Sequence, residues 1–86
     1  MTPLAQVLFE ALARRGDDIV VEGHDEGLSA SRIVDEAELG ARTLLAEGLR
    51  PFAPVPVEVE NRPTDVIDLL AVYRAGGVAV PIHRAT

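Results

Sequence analysis

The chain has 86 residues with a formal charge of −6, no cysteine and no lysine, since all eight basic residues are arginine. That length suits one small domain. The balance excludes disulfides, thiolate metal sites, cysteine nucleophiles and lysine chemistry within these residues, and it argues against nucleic-acid or anionic-membrane partners. Apolar residues make up 48% of the chain but aromatics only 3%. A core built from Val, Leu, Ile and Ala buries little area per residue, so an independent fold of this size is marginal. No apolar run approaches the ~20 residues of a membrane span, and the first residues read as an amphipathic helix rather than a signal peptide. A cytoplasmic location is expected.

In chain order, Thr2-Pro3 reads as a hydroxyl N-cap followed by proline at the first helical position. Leu4, Val7, Leu8, Ala11 and Leu12 recur at helical spacing, and Arg14, Arg15 and Gly16 close the helix. Ile19 to Glu22 is a β-type run, the segment from Gly23 to Gly27 a polar hairpin loop, and Leu28-Ser29-Ala30 the returning strand. A second helix is expected from about Ser31 to Glu47, with Ile33, Ala37, Ala41, Leu44 and Leu45 buried, Glu38 paired with Arg42, and Gly48 as its C-cap. Val55, Val57 and Val59 alternate with Pro56, Glu58 and Glu60, as in a strand with one face more exposed or one near a sheet edge, because proline cannot donate to a ladder. Pro63 opens a third helix whose apolar arc is wide enough for burial on more than one side. Gly76-Gly77 ends it, and Val78, Val80 and Ile82 form a last strand. A right-handed crossover makes these two strands parallel. The expected fold is α/β in the order α-β-β-α-β-α-β, with an antiparallel hairpin and a parallel β-α-β unit.

Candidate chemical groups have plain readings. His24-Asp25-Glu26 clusters potential metal ligands, but consecutive loop positions do not converge on one point. His83 follows the last strand with no partner in the sequence. Asp65 and Asp68, or Glu58 and Glu60, could be paired carboxylates; Asp65 fits better in a first helical turn, and the glutamates on an exposed strand face. Ser29 and Ser31 read as hairpin or helix-capping residues.

Several words in this order resemble the N-terminal portion of the adenylate-forming enzymes, the AMP-dependent synthetases and ligases that include acyl-CoA synthetases and peptide-synthetase adenylation domains. Leu28 to Ile33 resembles the family's word before its second helix, with Ala30 in place of an aromatic and Arg32 in place of an acid. Gly48-Leu49-Arg50-Pro51 resembles the next word, with Phe52-Ala53 where the family has Gly-Asp. Asn61-Arg62-Pro63-Thr64 resembles the third. Leu70 to Ile82, with Ala75, Gly76, Gly77 and Pro81, matches best. The motif positions Asn61, Pro63, Ala75, Gly76, Gly77 and Pro81 read as structural, and none is a nucleophile, acid or base.

The resemblance implies that residues 1–86 are a single N-terminal subdomain, an incomplete domain of a ligase that joins a carboxylate to ATP and passes the acyl group to a thiol. It implies ATP, magnesium and coenzyme A or a carrier thiol for a parent enzyme. The family's hydroxyl-rich phosphate loop, ribose-binding acid and C-terminal lysine have no counterpart in these residues, and Arg74-Ala75-Gly76-Gly77 is too short and too poor in hydroxyls to be that loop. The chain alone is therefore expected to be inactive, with no catalytic, cofactor-binding or metal-binding residue. An exposed apolar face is expected, covered by the rest of the ligase domain or by self-association. The other reading is a stand-alone acidic module that docks on a partner protein. A carrier protein does not fit, because no Asp-Ser pair opens a helix.

Overall fold

A computed structural model describes residues 3–23 and 26–83. Its elements follow the expected order: α1 (Pro3–Arg15), β1 (Ile19–Glu22), β2 (Gly27–Ser29), α2 (Ala30–Ala46), β3 (Pro54–Val59), α3 (Thr64–Ala75) and β4 (Val78–His83). The expected cap at Thr2 and the loop residues His24 and Asp25 lie outside the described residues.

β1 and β2 form an antiparallel hairpin, and β3 and β4 a separate two-stranded parallel sheet. The β3–β4 register is continuous from Pro54 opposite Val78 to Val59 opposite His83. Such a parallel pair needs a crossover, and α3 supplies it.

Each helix end has a local cause. Ser29 ends β2 and caps α2, its hydroxyl accepting from the Arg32 N–H at 3.2 Å. The helix therefore starts at Ala30, one residue before the expected start. Glu47 is the C-cap of α2, with the left-handed Gly48 just beyond it. Pro63 is the N-cap of α3 and the helix proper begins at Thr64. The expected Glu38–Arg42 pair does not form. Arg32 instead pairs with Glu36 on the exposed side of α2, while Glu38 is turned into a half-buried position.

The core sits where the hairpin, α2 and α3 meet. Leu28, Ile33 and Ile67 are buried together, and Leu12, Val20, Val21 and Leu70 pack around them. Among the described residues, five of the eleven buried hydrophobics are alanines: Ala5, Ala30, Ala37, Ala41 and Ala71. Alanine removes little apolar area from water, so close helix approach replaces bulk as the source of packing. Gly40 and Ala71 mark the closest approach of α2 to α3; a Cβ on Gly40 would lie 2.9 Å from that of Ala71.

The β3–β4 sheet is covered on one face only. Val55, Val57, Val59 and Ala79 lie on the face toward α3, where Val57 is 7% exposed. The alternate residues Pro54, Pro56, Glu58, Val78, Val80 and Ile82 share the other face, and its three aliphatics remain 44–48% exposed. The expected exposed apolar face is therefore present. Parallel sheets are normally covered on both faces, so this is half of a layered unit.

Candidate functional site

The six motif residues lie at the two ends of the β3–α3–β4 unit. At the start of α3, Asn61 has a left-handed backbone (φ 60°), a conformation asparagine tolerates better than most residues. Asp65 holds this turn from within the helix. Its Oδ2 accepts the Glu60 N–H at 2.9 Å and the Arg62 N–H at 3.0 Å, so the two amides flanking Asn61 converge on one carboxylate. Those hydrogen bonds, the Arg62 contribution first, hold the Asp65 carboxyl below its ordinary value of 3.8. Pro63 follows with φ −53°, already helical.

At the other end, Ala75 is the last residue of α3, and the two glycines divide two roles. Gly76 is left-handed (φ 89°) and donates to the Tyr73 carbonyl at 3.1 Å, which stops the helix. Gly77 instead provides close approach, since a Cβ there would lie 3.1 Å from the Ala53 carbonyl oxygen and 3.2 Å from Leu49 and Val72 side-chain carbons. Phe52 also has a left-handed backbone (φ 63°), and its N–H donates to the Gly76 carbonyl at 2.7 Å. Phe52 is thus a bulky, largely exposed residue in a conformation that glycine adopts most readily. Sequence reasoning missed this strain; the replacement of Gly-Asp by Phe52-Ala53 was the available signal.

Arg74 is not part of a phosphate loop. It lies in the last turn of α3, with its guanidinium 6.0 Å from the centre of the Phe9 ring, and ties α3 to α1. Pro81 lies in β4 opposite Val57, and His83 ends that strand, exposed.

An open groove of about 740 Å³ runs between α2 and β3 with α3 as its floor. Glu36, Glu58, Glu60, Asp65 and Asp68 line it, with Arg62 as the one cation of the lining. Three of these carboxylates are engaged: Glu36 with Arg32, Glu60 with Arg62 at 2.9 Å, and Asp65 with the turn. Asp68 is raised above 3.8 by desolvation first and then by the nearby Asp65. Asp65 and Asp68 therefore do share a surface. Their roles differ, because one is a turn cap and the other a partly desolvated neighbour, and no acid–base pair results. Among the described residues, no cluster of three metal-ligating side chains occurs, and no helix is long and apolar enough to cross a membrane.

No protein-family model matches the chain. It is 36% identical over 76 residues to a mycosubtilin synthase subunit of Bacillus subtilis, a match that covers 87% of this chain and 3% of that protein. The solved N-terminal subdomain of Klebsiella oxytoca NpsA, in complex with 3-hydroxyanthranilyl-AMSN, superposes on all of this chain with a TM-score of 0.83 at 18% identity, over 22% of its own length. Apo MatB from Rhodopseudomonas palustris superposes on 92% of this chain with a TM-score of 0.76 at 28% identity, over 17% of its length. The chain thus spans a small part of each relative. It belongs to the adenylate-forming family and has the fold found in the N-terminal subdomain of adenylation domains.

Proposed function

We propose that the chain is the structural N-terminal part of an ATP-dependent, AMP-forming carboxylic acid–thiol ligase of the acyl-CoA synthetase or peptide-synthetase type, located in the cytoplasm and not catalytic by itself. One observation carries this reading: the motif residues act on the backbone. Gly76 stops α3, Gly77 lets α3 and β4 meet, and Asn61 makes the turn that Asp65 caps. The 86 residues hold no lysine. The bare face of Pro54, Pro56, Val78, Val80 and Ile82 is then where the rest of the ligase domain packs.

ATP, magnesium and coenzyme A or a carrier thiol belong to the parent enzyme in this reading. The residues here do not fit a triphosphate. The groove has an excess of carboxylates, and its one arginine is already paired with Glu60.

The test is a chimera. The 86 residues replace the matching segment of one adenylation domain of the Bacillus subtilis mycosubtilin synthase, and ATP–pyrophosphate exchange is measured across a panel of amino acids. A scaffold role leaves the preferred amino acid unchanged, and the 86-residue chain alone gives no exchange. A folded chimera with altered amino-acid preference, or exchange by the pure chain that a point substitution within it abolishes, refutes the proposal.

One feature favours the second reading, a stand-alone module that docks on a partner protein. Pro54 and Pro56 close one side of the sheet, as a finished edge would be closed.

A further inference from the structure

We draw no further inference here: the strongest candidate, the apolar pocket of about 320 Å³ that Phe52 and Tyr73 line beside the start of β4, is an open surface hollow, and nothing in the structure shows what covers it.

Discussion

Gly40 is the position where the packing argument can be put to a number. A methyl there would sit 2.9 Å from the Ala71 Cβ, against about 3.5–4.0 Å for an ordinary carbon contact. Both atoms are fixed to helix backbones and cannot rotate away, so α2 and α3 must separate by several tenths of an ångström. Overpacking of this kind costs about 1–3 kcal/mol. Against it, alanine in a helix interior is favoured over glycine by about 0.5–1 kcal/mol. The clash wins, and Gly40→Ala should destabilise the chain by about 0.5–2 kcal/mol. With a urea slope of about 1 kcal/mol/M for a chain this small, the midpoint followed by circular dichroism should fall by roughly 0.5–2 M. Ala71→Gly is destabilising alone, through helix propensity and lost burial. In the double variant, however, the added methyl has room, so the cycle should show a favourable coupling of about 1 kcal/mol. A rise in the midpoint for Gly40→Ala, or strict additivity in the cycle, would refute the close-approach account of this core.

Three further outcomes follow from local geometry. Phe52→Gly should stabilise the chain by about 0.5–1 kcal/mol in the same urea assay, because it relieves a left-handed backbone in a side chain that is 76% exposed and so loses little burial. Gly76→Ala should cost about 1–2 kcal/mol and Gly76→Asn less, since the C-cap needs a left-handed residue there. Carboxyl titration by NMR should place Asp65 below 3.8 and Asp68 above it. Asp65 binds its proton more weakly folded than unfolded, so its contribution to stability is present above 3.8 and fades as pH falls through its folded value. Asp68 has the opposite sign: its contribution is present below 3.8 and fades as pH rises through its folded value. In Asp65→Asn the Asp68 value should drop, because one like charge is gone.

The element order was legible because each boundary has a chemical sign. Ser29, Pro63 and the Gly76-Gly77 pair mark helix ends by what their side chains supply or lack, and they act there in the structure. The alternation of Pro56, Glu58 and Glu60 with valines marked a strand with an exposed face or edge, and the structure starts it one residue earlier, at Pro54. What escaped the sequence depended on how elements are rotated against each other. Glu38 and Arg42 have the right spacing for an ion pair, but Glu38 is half-buried and it is Arg32 and Glu36 that pair. Asp65 was placed in the first turn of α3, yet its main partners, the Glu60 and Arg62 amides, lie behind the helix rather than along it. The groove needs α2, β3 and α3 assembled, and no single stretch encodes it.

Asn61, Gly76 and Gly77 work through the backbone in this segment. A left-handed cap, a close approach and a turn are required wherever this strand–helix–strand unit folds, whether or not a reaction follows. Catalysis by an adenylate-forming enzyme depends instead on charge placed around phosphates, which these 86 residues do not concentrate: their groove is acidic and its arginine is spoken for. Selection on folding alone would therefore keep Gly76 and Gly77 in place even if the chemistry elsewhere were lost. Phe52, in the place near the resemblance's Gly-Asp pair, falls on an exposed turn, where the fold tolerates it at modest cost.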